Sequence, residues 1–255
     1  MITEVRPETE STRQIRQDHQ AHRSQEAHHV PAMGVAGQFV LLALLWAGVG
    51  LGPAGWLAGT ACAVFTCAVL TAALRRSGRR LGPADHVTLV RAVLVGGVTA
   101  LVTDRFGEGA PVGVLVTLAS VALLLDAVDG QVARRTGTAS AMGARFDMEV
   151  DAFLILVLSA NVATSLGAWV LAIGGMRYVF VMAGRVAPWL RPGLPPSIAR
   201  KTVAALQGIV LVVAAAGVLP PPVATVFVAL ALMSLVWSFG RDIFWLRRAF
   251  RYASI

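Results

Sequence analysis

Four aspartates interrupt an otherwise apolar stretch of this chain. Asp126 and Asp129 close the run 112–125, and Asp147 and Asp151 open the run 153–166. A carboxylate at membrane depth is costly unless it is paired, bound to a metal or turned toward water. Four of them between positions 126 and 151 therefore point to a chemical task. Residues spaced i, i+3, i+4 and i+7 share one face of an α-helix. Asp126, Asp129, Gly130 and Ala133 have that spacing, and Gly143, Asp147 and Asp151 repeat at every fourth position. Two helices joined by a short connection would turn these stripes toward each other. Converging carboxylates in a low dielectric need compensation, and hard divalent cations with oxygen ligands, Mg²⁺ or Mn²⁺, supply it. Gly130, Ala133 and Gly143 lack bulk on the same face, so a ligand can approach the helix backbones there.

Residues 126–151 read D-A-V-D-G-Q-V-A-R-R-T-G-T-A-S-A-M-G-A-R-F-D-M-E-V-D. This resembles the signature of the CDP-alcohol phosphotransferases, D-x2-D-G-x2-A-R-x8-G-x3-D-x3-D, with each fixed position present. Upstream, Pro83-Ala84-Asp85-His86-Val87-Thr88-Leu89-Val90-Arg91 is similar to the P-x-N-x-x-T-x-x-R that opens the family's first core helix. Asp85 stands where the family carries Asn. The resemblance spans residues 82 to 240, and residues 1–80 lie outside it.

The resemblance implies transfer of a substituted phosphate from a CDP-linked donor to an alcohol, with release of CMP. It implies a pair of Mg²⁺ or Mn²⁺ ions held by Asp126, Asp129 and Asp147. Asp151 is the implied general base toward the acceptor hydroxyl, and it also reaches metal. Asp126, Asp129, Gly130, Ala133 and Gly143 would receive the nucleotide, and Arg134 would pair with phosphate as a bidentate donor. Arg177, Arg185 and Lys201 are the candidates for a phosphate on the acceptor. Arg200-Lys201-Thr202 and Gln207 loosely resemble the G-K-x-K-T-x-x-Q stretch of phosphatidylglycerophosphate synthases, with longer spacing and without the Gly-Lys start. Homodimers are common in the family, so a homodimer is implied too. The expected donor is CDP-diacylglycerol or another CDP-alcohol, and the expected acceptor is a small alcohol.

The surrounding elements are those of a membrane protein. The chain has 255 residues, 56% of them hydrophobic and only 14% charged. Apolar runs fall at 36–51, 54–74, 87–103, 111–129, 150–166, 167–184, 202–219 and 222–239. They predict an all-α polytopic helix bundle of eight transmembrane helices, a six-helix family core preceded by an N-terminal hairpin. The expected organisation is a disordered polar tail over 1–35, a transmembrane hairpin and basic loop over 36–80, the catalytic core over 81–240 and a basic tail over 241–255. No run has the form of a cleavable signal peptide, because the first begins after 35 polar residues.

Of the 22 lysines and arginines, nineteen fall in segments on one side of that topology and only Arg105 on the other. Arg91 and Arg177 remain, within or at the ends of helices. The positive-inside rule then puts both termini and the acidic motif on the cytoplasmic side of the cell (inner) membrane. The net charge of +8 reads as topology and attraction to anionic lipid headgroups. Nucleic-acid binding is excluded as an expectation, because the charge is dispersed among short loops. His19, His22, His28 and His29 read as solvated tail residues without a scaffold to hold metal. Cys62 and Cys67, five apart in one apolar helix, read as packing thiols. Glu149 lies two residues from both Asp147 and Asp151 and should point away from the cluster. Asp242 is expected to be a solvated residue beyond the last helix.

Two further function classes fit an intramembrane acidic cluster. One is a cation or proton-coupled transporter, and the other is a family member with a purely structural role. The acids cluster at one membrane end rather than along a path, and Gly130, Ala133 and Arg134 stand at the family spacing. Both features favour the enzyme. A non-lipid CDP-alcohol donor remains open within the enzyme class.

Overall fold

A computed structural model describes residues 32–77, 83–136, 141–187 and 197–253, excepting the side chains at 73–77, 83–85, 128–136, 141–142, 198, 249 and 251–253. The expected N-terminal tail with its histidines, most of the basic loop and the proline-rich segment 188–196 lie outside the described residues. The described chain is all-α: α1 (Ala32–Val49), α2 (Pro53–Ser77), α3 (Pro83–Asp104), α4 (Val112–Thr136), α5 (Ala141–Leu166), α6 (Leu171–Val186), α7 (Ile198–Ala215) and α8 (Pro221–Ala253). Six of these helices carry segments long and apolar enough to cross a membrane, and α4 adds a shorter apolar stretch, Val112–Ala127.

Proline places several of the starts. Pro53, Pro83 and Pro221 open α2, α3 and α8, where a missing N–H costs nothing and the fixed φ is already helical. Between α5 and α6 the apolar sequence runs on almost without a break, yet the chain turns. Gly167 adopts φ +104, a conformation that side-chain-bearing residues rarely accept, and a single 3₁₀ turn, Ala168–Val170, leads into α6. The Trp169 indole N–H donates to the Leu166 carbonyl at 2.8 Å and satisfies one of the carbonyls that the end of α5 leaves open.

α3 is the hub. Its apolar window is 61% buried, against 17–33% for the other spans, which makes it the helix that the rest surround. Val95, Val98, Leu101 and Val102 of α3 pack with Leu115 and Ala119 of α4 and with Leu154 and Leu158 of α5. The outward faces are apolar as well. Leu44, Trp46, Leu57, Val64, Phe65, Phe227 and Trp237 are all exposed. A soluble protein does not tolerate so continuous an apolar surface, whereas a bilayer solvates it. The protein is therefore a multi-pass membrane protein. Because lipid is as apolar as leucine, its helices are held together by close packing and by interhelical polar contacts rather than by burial from water.

The N-terminal hairpin is part of this bundle. α1 seats Gln38 and Leu41 on Gly96 and Gly97 of α3, where any added Cβ would overlap those side chains. At the far end Asp104, its side chain only 8% exposed, accepts from the backbone N–H of Gly52 at 2.9 Å and of Gly55 at 3.2 Å. It thereby caps α2 from the end of α3. Arg105 donates to the Val49 carbonyl at 3.2 Å and completes a clamp on the α1–α2 turn.

One expectation is corrected. Asp242 does not lie beyond the last helix. α8 has 33 residues, roughly 50 Å at the α-helical rise, and so continues past an apolar layer of roughly 30 Å. Asp242 lies on that continuation with its side chain 13% exposed, 3.5 Å from Arg200 of α7 and 3.9 Å from Arg241. It ties α7 to α8 because each polar group near the bundle surface gains by pairing.

Candidate active site

Arg91 lies on α3 in an otherwise apolar stretch, and its side chain is only 2% exposed. A guanidinium so placed must be paired, since an isolated buried charge costs several kcal/mol. Among the described residues, carboxylates from two other helices meet it. Nη1 lies 3.0 Å from Asp126 Oδ1 on α4 and also contacts Asp147 Oδ1 on α5, and Nη2 contacts Asp151 Oδ1 one turn further along α5. The aspartates are more open than the arginine, at 40%, 28% and 36% exposed. The cation forms the floor of the site and the acids form its mouth.

Helix geometry explains the meeting. Arg91 is eight residues into α3, Asp126 ten residues before the end of α4, and Asp147 and Asp151 six and ten residues into α5. At the α-helical rise these positions lie roughly 9–15 Å from the helix ends on one side of the bundle. α3 stands between the two acidic helices and packs against both, so the site is built from three helices rather than from a facing pair. Thr88, one turn before Arg91 on α3, is buried on the way to the same level.

Asp126, Asp147 and Asp151 each offer a carboxylate oxygen, and these oxygens all lie within 4.8 Å of one another. Among the described residues they form the one group of three or more acidic, histidine or cysteine ligands with that closeness. Three hard oxygen donors at this separation suit a hard divalent cation such as Mg²⁺ or Mn²⁺. With Arg91 included, these four side chains keep a formal excess of two negative charges, which one divalent ion would offset. Asp129, Gly130, Ala133 and Arg134 continue α4 toward its end, with side chains outside the described set. Gly143 lies on α5 one turn before Asp147.

The other candidate residues have different surroundings. Arg177, in the middle of α6, donates from Nη2 to Glu149 Oε1 at 2.5 Å. Glu149 lies on the face of α5 turned away from Asp147 and Asp151, as its two-residue offset requires. Arg185, near the end of α6, is exposed and donates to Met182 Sδ at 3.5 Å. Lys201 is exposed in the first turn of α7. Gln207 is buried and serves packing between α7 and α8, its amide donating to the Ala231 carbonyl at 2.9 Å and to Ser234 Oγ at 3.3 Å.

The contribution of Arg91 to the site was missed at the sequence level. Two signals were available. Arg91 is a lone cation within an apolar run, and it is the last fixed residue of the upstream P-x-N-x-x-T-x-x-R stretch.

A helical membrane bundle with an acidic intramembrane cluster at one end is the frame of an enzyme or transporter working at the membrane boundary. The family model for CDP-alcohol phosphatidyltransferase matches residues 82–238, well over half of the chain, and the protein belongs to that family. It is accordingly a transferase that uses a CDP-alcohol and passes the phospho group to an alcohol. No curated protein and no solved structure matches the chain.

Proposed function

We propose that the protein transfers a phosphatidyl group from CDP-diacylglycerol to a small alcohol, phosphorylated by preference, and releases CMP in phospholipid synthesis. The observation that carries this reading is the convergence of Asp126, Asp147 and Asp151 at one end of a membrane bundle. There a lipid donor can enter sideways from the bilayer while a soluble acceptor arrives from water. The distribution of arginine and lysine supports a cytoplasmic site and cytoplasmic termini in the cell membrane. Family resemblance supports a homodimer.

In this reading Asp126, Asp129 and Asp147 would hold a pair of Mg²⁺ or Mn²⁺ ions, with Asp151 also within reach of metal. When bound, the ions would supply positive charge against the pyrophosphate and against the charge growing on departing CMP. The remaining work belongs to the chain. Gly130, Ala133 and Gly143 leave room for the nucleotide beside the helices, and Arg134 pairs with its phosphate. The acceptor hydroxyl oxygen forms a bond to the phosphorus that carries the diacylglycerol. The bond from that phosphorus to the CMP oxygen breaks, and the hydroxyl proton passes to Asp151. Arg185 and Lys201, exposed at the ends of their helices, attract a phosphorylated acceptor. Arg177 does the same only by sharing or leaving Glu149.

The alternative of a cation pathway loses weight to Arg91, whose fixed positive charge stands between the carboxylates that such a path would use. The test is CMP release by the purified protein, offered labelled CDP-diacylglycerol or a water-soluble CDP-alcohol with a panel of phosphorylated and plain alcohols, with Mg²⁺ or Mn²⁺ present. The expected result is CMP release with the lipid donor and a phosphorylated acceptor. Release with only the soluble donor overturns the phosphatidyl reading, and release with no pair overturns the enzyme reading.

A further inference from the structure

The carboxylate oxygens placed to hold a cation already serve one. Arg91 Nη1 contacts Asp126 Oδ1 and Asp147 Oδ1, Nη2 contacts Asp151 Oδ1, and these are the same three side chains whose oxygens lie within 4.8 Å of one another. The guanidinium of Arg91 is a positive charge already seated among these oxygens. Its planar fork spans acids that come from different helices, a geometry that the ammonium of lysine does not reproduce. A divalent ion drawn to the same oxygens must either push the guanidinium aside or bind against its repulsion.

The geometry points to Arg91 as the built-in counter-cation of the site, a positioning residue that holds the three carboxylates together and competes with the divalent ion for them. Arg91 thereby sets the affinity for the ion. It holds the acids in register across α3, α4 and α5 and keeps the site from binding divalent ions too tightly. The inference rests on the metal-dependent reading given above and adds the residue that tunes it.

The experiment uses the full chain in nanodiscs, stripped with chelator and titrated with Mn²⁺ alone, free Mn²⁺ being read by electron paramagnetic resonance and melting being followed in parallel. Arg91→Gln is expected to bind Mn²⁺ at least about tenfold more tightly than the parent, the smallest effect usual for a unit charge removed beside a carboxylate. In chelator it should melt at a lower temperature, with Mn²⁺ restoring more of the loss than it adds to the parent. Arg91→Lys keeps the charge but not the fork, and its affinity should fall between the two. Equal or weaker Mn²⁺ binding by Arg91→Gln overturns the inference. If that variant does not fold, an unchanged affinity in Arg91→Lys overturns it. Absence of any Mn²⁺ binding by the parent overturns the metal-dependent reading and this inference together, whereas parent binding that neither variant alters overturns this inference alone.

Discussion

Asp151→Asn separates chemistry from structure at this site. Asp151 meets Arg91 through one oxygen, Oδ1, and its side chain remains 36% exposed. Asparagine keeps an oxygen for Arg91 and loses the proton acceptor. Exchanging a charged for a neutral acceptor lowers one hydrogen bond by about 1 kcal/mol, and partial exposure reduces that further. Asp126 and Asp147 continue to hold Arg91. Melting should therefore fall by only roughly 2–4 °C. Loss of a general base, in contrast, costs about 10²–10⁴ in turnover. This corresponds to about 2.7–5.5 kcal/mol on the barrier at 1.36 kcal/mol per tenfold. The assay is CMP release with saturating donor and acceptor, alongside melting of the same preparation. Donor KM should stay within about threefold, since binding survives and only the transition state loses its partner. A kcat within about tenfold of the parent, in a variant that melts normally, refutes the assignment of Asp151 as base.

The ligand roles can be checked one residue at a time. Asp147→Asn should weaken Mn²⁺ binding by at least about tenfold while Arg91 keeps Asp126 and Asp151, and unchanged binding in a spectroscopic titration would remove Asp147 from the ligand set. Asp129→Asn should abolish metal-dependent donor binding, and retention of that binding counts against its place at the site. Asp104→Ala removes both backbone hydrogen bonds that cap α2 and should cost about 2–4 kcal/mol of stability, with Asp104→Asn losing about half as much. CMP release per folded molecule should be unchanged in both, because the clamp lies at the opposite end of α3 from Arg91.

The architecture places the site's demands on α3. The helix that supplies the buried cation is also the one most enclosed by its neighbours. That coupling has a physical cause. A guanidinium at membrane depth must be surrounded by acceptors, and only a helix packed against both acidic helices can deliver one to all three carboxylates. The apolar layers formed by Val95, Val98 and Leu101 with Leu115 and Leu154 keep α3 in register with α4 and α5. The two short-range spacings of aspartate then become one three-dimensional cluster.

Local pattern alone determined much of this protein. Runs of apolar residues marked where each described helix lies, because membrane depth demands length and apolarity from every span, but the polar ends of α4, α5 and α8 run 7, 9 and 14 residues beyond their apolar runs 111–129, 150–166 and 222–239. The spacings of Asp126 with Asp129 and of Asp147 with Asp151 placed each pair on one helix face, because residues three or four apart lie one turn apart. Tertiary structure alone decided the partners. Arg91 meets Asp147 and Asp151 from 56 and 60 residues away, Arg177 meets Glu149 across 28, and Asp242 meets Arg200 across 42. Periodicity reports which way a side chain leaves its own helix. It carries no information about which other helix stands opposite, and for this site that neighbour was α3.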